Sequence, residues 1–426
     1  MTWQAAARRR AAGGVGLASA VAALALPSSL AAVPQAAVHH QSGVTAASDG
    51  KGVAVVRSPL VLQGHGYGHG HGMSQYGAQG AALQGLGYRS IVDFYYPGTR
   101  LREYSGHIRV LLSAAVSSNL QVRPAKGLRV RNMATGVAWR LPAGRGVDRW
   151  RLTGVDGGGT AVESHDARGW SRWPLPNGRT SLRAAAQFRA NGALTLLQRD
   201  GASMVATRYR GGLRLVQPAA GSASRDTVNV LGIDAYVSGV VPLEVPSSWE
   251  PAALRAQSVA ARSYAAWHRA QYRDRYYHIC DTTSCQVYGG AAAEQPSTNA
   301  AVQATSREVL KHDGKPALTQ FSSSSGGWTA DGGLPYLRAQ RDTFDGFSGN
   351  PMHTWTVSIP AATVERGYPA LGRFVSLRVV RRDGHGDWNG RVEQLRLVGT
   401  KGTVALSGDD MRLRYGLRSS WFRVRP

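Results

Sequence analysis

Val241-Pro242-Leu243-Glu244-Val245-Pro246-Ser247-Ser248-Trp249, followed by an Ala- and Arg-rich run from Pro251 to about Tyr272, is the stretch on which the reading of this chain turns. The run reads as one long helix. The stretch before it sets a single carboxylate, Glu244, between two prolines and just ahead of the helix N-terminus. Proline fixes its own φ and restricts the residue before it, so a stiff backbone is expected around Glu244. Val245 and Trp249 can supply apolar walls that disfavour the ionised carboxyl, as a general acid requires. The helix dipole pulls the other way and favours the anion. From the residues alone, Glu244 is either a general acid or a helix-capping side chain.

Working outward, the chain has 426 residues, 43% of them hydrophobic, enough for a substantial core in two or three domains. Arg8-Arg9-Arg10 followed by a small, apolar run from Ala11 to Leu26 reads as a secretory signal peptide, here taken as residues 1–31. An uncleaved anchor is the alternative. Residues 32–58 read as a flexible leader, 59–106 as a Gly/His-rich block, 107–220 as a β-rich domain and 221–426 as the core containing Glu244. The fold class expected is α+β: a catalytic core whose long helix follows a Pro-flanked Glu loop, plus a β-rich accessory domain. Strands are expected at 108–112, 128–131, 137–141, 193–197, 374–380 and 392–397. A hairpin-like segment is expected at 208–215, and a second helix near 299–308.

The formal charge is +24, and still +21 without residues 1–31, which hold three Arg and no acid. A zinc-finger spacing, an RNP sequence or a long Lys/Arg run would point to nucleic acid; none is present, so nucleic acid is not expected as a partner. Outside a cell, a basic chain would be held by the phosphate and carboxylate polymers of the envelope. A secreted, wall-associated location is therefore expected.

Four further motifs follow the helix: Cys285-Gln286-Val287-Tyr288-Gly289, Phe321-Ser322-Ser323-Ser324-Ser325-Gly326-Gly327, Pro335-Tyr336-Leu337 and Leu417-Arg418-Ser419-Ser420-Trp421-Phe422. With Leu243-Glu244-Val245-Pro246 and Ala253 to Tyr264, this set resembles the SpoIID/LytB family. That family groups the sporulation stage II protein D lytic transglycosylases with the amidase-enhancer proteins of bacterial cell walls. Gly64-His65-Gly66-Tyr67-Gly68-His69-Gly70-His71-Gly72-Met73-Ser74-Gln75-Tyr76-Gly77-Ala78 resembles the family's Gly-x-Gly-His-Gly-x-Gly-Met-Ser-Gln-Tyr-Gly-Ala signature. In the sporulation proteins that signature follows the segment similar to Leu417–Phe422; here it precedes everything else. The order looks like a circular permutation, which requires the 64–78 loop to lie against residues 417–426 and near Glu244.

The resemblance implies that Glu244 is the catalytic acid/base of a lytic transglycosylase acting on MurNAc-GlcNAc strands, or that the chain is a non-catalytic enhancer of an N-acetylmuramoyl-L-alanine amidase. It also implies substrate contacts for Arg255, Arg262, Gln257, His69, Ser74, Gln75, Ser323, Ser325 and Gly326. Arg255, Arg262 and Arg269 recur every seven residues, roughly on one helical face. The three histidines of the Gly/His block could approach one metal ion, yet no carboxylate accompanies them, and the alternation also suits a tight loop against a sugar. No cofactor is expected. Cys280 and Cys285 are the two cysteines; a disulfide is favoured in a secreted chain, with zinc held by His278 and both cysteines as the alternative.

Overall fold

The computed structural model describes residues 59–142, 144, 146–200 and 203–425, so the expected signal peptide and leader lie outside the described residues. The chain is α+β. Its helices are α1 (Gln75–Leu83), α2 (Tyr88–Tyr95), α3 (Ile233–Ser238), α4 (Val241–Glu244), α5 (Pro251–Gln271), α6 (Pro296–Ala304), α7 (Ala361–Gly367) and α8 (Gly408–Tyr415). The second expected helix thus begins and ends earlier than 299–308, because Pro296 opens it and Glu308 already belongs to the strand Glu308–His312.

Two sheets build the β-rich half. A seven-stranded sheet runs Ile279–Cys280, His107–Ser117, Arg225–Gly232, Gly212–Val216, Ala186–Arg189, Arg129–Asn132 and Ala138–Arg140. A six-stranded sheet runs Gly169–Arg172, Gly159–Asp166, Arg149–Val155, Asn119–Val122, Leu194–Asp200 and Ser203–Tyr209. Ser203–Tyr209 and Gly212–Val216 belong to different sheets, so segment 208–215 is a crossing between sheets and not a hairpin. Gly211 makes the crossing: its φ is +75°, and a Cβ there would stand 2.4 Å from the Val230 carbonyl oxygen.

Alternation places one face of each strand in a shared core. Ile108, Val110, Leu112, Val130, Phe188, Leu213 and Leu215 are buried with Trp150, Leu152 and Leu196 of the other sheet. The same core takes in Val237, Val241, Val245, Leu254, Ala261 and Ala265 of the helical region. Residues 107–220 are therefore not parted from the rest at 220/221. Arg225–Gly232 pairs with both His107–Ser117 and Gly212–Val216, and α3 to α5 close the core these strands begin.

A second core gathers α1, α2, Ala256, Val259 and Ala260 of α5, and Leu337. A third holds Leu60 and Leu62 with Trp355, Leu395, Met411 and Phe422. The strand Leu60–His65 lies between Thr354–Ile359 and Phe422–Val424, antiparallel to both. The 64–78 loop continues that contact. The His65 amide donates to the Trp421 carbonyl at 3.0 Å, the Gly68 amide to the Arg418 carbonyl at 2.8 Å, and the Ser419 hydroxyl to the His65 carbonyl at 2.5 Å. This is the neighbourhood that the permuted motif order requires.

Candidate functional site

Glu244 closes α4, a single helical turn in which Pro242 is tolerated because first-turn amides need no intrahelical partner. The Pro-flanked segment is thus helical, not a loop. The Val245 amide bonds back to the Val241 carbonyl at 3.1 Å, and Trp249 to Pro246 at 3.1 Å, so the chain turns tightly into α5. Pro251 opens α5 behind Glu250, whose backbone amide is taken by the Gln79 side chain at 3.0 Å.

The Glu244 side chain is only 5% exposed. Two phenols face it from neighbouring helices, Tyr236 of α3 and Tyr264 of α5. Burial, and then the Glu244 charge, push the Tyr264 hydroxyl up to about 12 and Tyr236 well above its ordinary value. Both remain neutral donors at any physiological pH. Tyr236 is itself fixed by a 3.1 Å bond to the Gln286 Oε1, and the Gln286 amide donates to the Ala261 carbonyl. Val245 lies in the main core, and the Trp249 ring meets Tyr76 edge-on at 5.0 Å. The permuted block therefore reaches the Glu244 motif through Tyr76 and Gln79.

On α5, Gln257 and Tyr264 stand seven residues apart and share a face. Gln257 is 1% exposed, and neither its amide nitrogen nor its oxygen has a partner among the described residues. A buried amide left so is costly, on the order of 1–3 kcal/mol per group. Arg255 is half-buried, with its Nε also lacking a partner.

Several residues expected to touch substrate are engaged in the fold instead. Arg262 is wholly buried: its Nε donates to Asp234 at 2.6 Å, Nη1 to the Glu308 carbonyl at 3.2 Å and Nη2 to the Val302 carbonyl at 3.1 Å. It ties α5 to α3, α6 and the strand after α6, which leaves its guanidinium no face for a glycan. Arg269, on the same side of α5, donates to the His107 carbonyl and the Tyr104 hydroxyl.

Ser74 is the N-cap of α1, accepting from the Gly77 amide and donating to Asp345 at 2.6 Å. Ser325 donates to Asp342 at 2.8 Å, and the Gly326 amide donates to Asp345 at 3.0 Å. All three are buried. Gly326 has φ +75°, and a Cβ there would lie 2.6 Å from the Gly66 amide nitrogen. The close backbone approach anticipated for a sugar is thus made by the Gly/His loop itself. Ser323 differs: it is half-buried, its carbonyl accepts the Tyr76 amide, and its hydroxyl is not spent on Asp342 or Asp345. Gln75 opens α1 and is 7% exposed.

His69 is set among His71, Arg391 and Arg412, away from the two tyrosines at Glu244. Desolvation, then the charges of His71, Arg412 and Arg391, lower it to about 3. Its Nδ1 accepts the His71 amide at 2.9 Å, so the neutral ring carries its proton on Nε2. Cys280 and Cys285 are joined as a disulfide with Cα atoms 5.6 Å apart. Their sulfurs are therefore not thiolate ligands, and the His278 Nδ1 accepts the Arg109 amide at 3.1 Å. Among the described residues, no set of three His, Cys, Asp or Glu side chains is placed to hold a metal ion.

The residues that fasten the two loops together escaped the sequence reading. Asp345, wholly buried, accepts from Ser74, Ser324, the Ser325 and Gly326 amides, and His353 Nδ1 at 2.8 Å. Burial works to raise its carboxyl, but hydrogen bonds from His353, Ser74 and Ser324 override it and hold it below the ordinary value. Asp342, bonded to Tyr95 and Ser325, is pushed up to about 6 by burial and by Asp345 beside it. The Asp345 bond raises His353 in turn. The spacing Asp342-Thr343-Phe344-Asp345 was the available signal, but nothing in it names a partner 271 positions earlier in the chain.

Comparison with known proteins adds an independent line. Residues 222–312, spanning Glu244, α5 and the disulfide, match the SpoIID family described as Stage II sporulation protein. The "Amidase enhancer" of Bacillus subtilis (strain 168) is 38% identical over 129 residues, 29% of this chain and 17% of that protein. The "Stage II sporulation protein D" of Bacillus amyloliquefaciens is 29% identical over 222 residues, 47% of this chain and 62% of that protein. The Bacillus subtilis protein of the same name is 25% identical over 227 residues, with the same two coverages. The chain thus spans from under a fifth to about three-fifths of the length of these relatives. The stretch that carries Glu244 and α5 thus matches the SpoIID family, and the chain is similar both to stage II sporulation protein D and to an amidase enhancer.

Proposed function

We propose that this protein acts on the bacterial cell wall as a secreted lytic transglycosylase, cleaving MurNAc-GlcNAc strands to 1,6-anhydro-muramyl ends. The observation that carries the reading is Glu244, a buried carboxyl at the end of a rigid helical turn, flanked by two neutral tyrosines. Hydrolytic glycosidases usually pair two carboxylates across the scissile bond. A lytic transglycosylase works with one. The protonated Glu244 gives its proton to the glycosidic oxygen as the C1–O bond breaks. The muramyl C6 hydroxyl oxygen then bonds to C1 and returns its proton to Glu244, so no water is consumed. Tyr264 can donate to the carboxylate between the two steps, while Tyr236, whose hydroxyl proton is given to Gln286, helps to wall the site; the amide of Gln257 and the hydroxyl of Ser323 suit a sugar.

The 38% identity to an amidase enhancer favours one second reading: a non-catalytic, peptidoglycan-binding activator of an N-acetylmuramoyl-L-alanine amidase. Peptidoglycan, with and without amidase pretreatment, is incubated with the protein and with Glu244→Gln, and the products are identified by mass spectrometry. Anhydro-muramyl ends that fall at least 10²-fold in the variant support the transglycosylase. No new glycan ends under either condition, with binding retained and amidase stimulation unchanged in the variant, establishes the activator instead.

A further inference from the structure

The outward face of the seven-stranded sheet is paved with arginine. Ladder pairing sets Arg109 opposite Val230, Val230 opposite Gly212, Gly212 opposite Arg189, Arg189 opposite Arg129 and Arg129 opposite Arg140. The adjoining row runs Arg214, Gln187, Arg131. Directly paired residues share a face, and residues two apart on a strand share it too. Six arginines, Arg109, Arg129, Arg131, Arg140, Arg189 and Arg214, therefore stand on one side, while Ile108, Val130, Phe188 and Leu213 between them point into the core. With strands about 4.8 Å apart, the paved strip is roughly 24 Å across.

None of the six is ion-paired among the described residues. The Nε atoms of Arg109 and Arg189 are buried without a partner. A cavity of about 740 Å³ opens where this face meets the end of α5; it is lined by Arg109, Arg214, Arg269, Arg273, His107 and His278 among others, and by no acid. A second of about 320 Å³ adjoins it at His107 and Val230 and reaches Arg189. Burial, and then the charges of Arg109, Arg189 and Arg131, lower Arg214 to about 10. Two carboxylates lie at the margin: Asp274 beside Arg273 at 3.6 Å, and Asp226, taken by the Tyr276 hydroxyl at 2.6 Å.

We infer that this face is a binding site for an extended polymer carrying phosphate on successive units. Arg109 Nη2 donates to the Arg273 and Arg275 carbonyls and Arg214 Nε to the Gln187 side chain, so the face is held by neutral oxygens and not by acids. Guanidinium forks match phosphate in two-pronged fashion, and crowded forks without an acid are stabilised by an anion that bridges them. A row of cations crossing several strands fits a chain of charges better than a single ion. The ladder positions on the face carry no Phe, Tyr or Trp, whereas single-stranded nucleic acid is held by base stacking; a polyol-phosphate chain needs none. The inference does not depend on Glu244.

The test uses the full chain and a fluorescent poly(glycerol phosphate) oligomer, with anisotropy read at 50 and 200 mM salt. Arg129→Gln/Arg189→Gln/Arg214→Gln should weaken binding at least tenfold and flatten the log K against log salt slope by about 2 to 3, since each contacted phosphate contributes roughly 0.7–0.9. Arg366→Gln/Arg378→Gln/Arg396→Gln, which removes the same charge from exposed sites elsewhere, should change affinity less than threefold. Arg189→Lys/Arg214→Lys keeps the charge and the fold but loses the forks, and should weaken binding severalfold. Equal losses in both Gln triples would overturn the site in favour of diffuse attraction. Equal binding of poly-L-glutamate of the same length would overturn the phosphate assignment, and tighter binding of oligo(dT) would overturn it in favour of nucleic acid.

Discussion

Arg262→Met separates a structural arginine from a substrate-binding one. Methionine fills most of the same volume, so packing along α5 is nearly conserved and the lost energy is polar. Three things change. The 2.6 Å pair with Asp234 disappears, and the carbonyls of Val302 and Glu308 lose the donors that reached them at 3.1 and 3.2 Å. Removing one partner of a buried pair costs about 3–5 kcal/mol. The lower end applies here, because the Asp234 side chain is 33% exposed and keeps the Ser306 hydroxyl at 2.8 Å. Urea unfolding followed by tryptophan fluorescence should therefore show a loss of about 3 kcal/mol. Adding Asp234→Asn should restore about 1–2 kcal/mol, since the stranded charge goes with it. Below the transition, the folded variant should bind peptidoglycan as the parent does. A loss under about 1 kcal/mol with binding reduced tenfold would refute the reasoning and return Arg262 to the glycan.

The junction of the two loops should give stability a pH optimum. The raised carboxyl of Asp342 and the raised His353 each contribute stability that is full below their unfolded values and lost as pH climbs through the folded ones, near 6 for Asp342 and above 6.5 for His353. The lowered Asp345 contributes stability present above its unfolded value and lost below about pH 4. Unfolding free energy should peak near about pH 4 and decline by roughly 1–3 kcal/mol toward pH 8, first between about pH 4 and 6 as Asp342 ionises and then above 6.5 as His353 loses its proton; Asp342→Asn, measured by the same urea titration, should flatten the first part of that decline. Gly326→Ala combines a φ of +75° with a Cβ 2.6 Å from Gly66, so thermal unfolding should show a loss of at least about 2 kcal/mol. Opening the Cys280–Cys285 disulfide with a reductant releases a loop of sequence separation 5 and should cost about 2 kcal/mol in denaturant titration.

How far sequence carried depends on the range of the interaction. The Glu244 turn and α5 were legible because proline constraint and helical composition are local. The strands of the β-rich half were legible from alternation, but not their membership in sheets. Ser203–Tyr209 and Gly212–Val216 look like a hairpin until Gly211 is seen to carry the chain from one sheet to the other. The motif named residues but not their contacts: Arg262, Ser74, Ser325 and Gly326 are engaged by Asp234, Asp342 and Asp345. Asp345 was invisible because its partners come from separate segments, one of them 271 positions away. The arginine face was likewise hidden, since Arg129, Arg189 and Arg214 align only once strand register is known.

The strand Leu60–His65 has a consequence for how the chain reaches its native state. It sits in the middle of its sheet, yet its partners arrive very late: Ser419 meets His65 across 354 positions and Arg423 meets Gln63 across 360. Closing so wide a loop is entropically expensive and belongs at the end of folding, after the sandwich and α5 have formed. Until then an apolar strand stands with both edges open, the condition most prone to intermolecular pairing. Only its capture by the last strand brings Gly66 against Ser325 and Gly326, so the loop junction beside the Glu244 region is completed by the final step of assembly. A complete Glu244 neighbourhood, on this view, is withheld from a partly folded chain by topology alone.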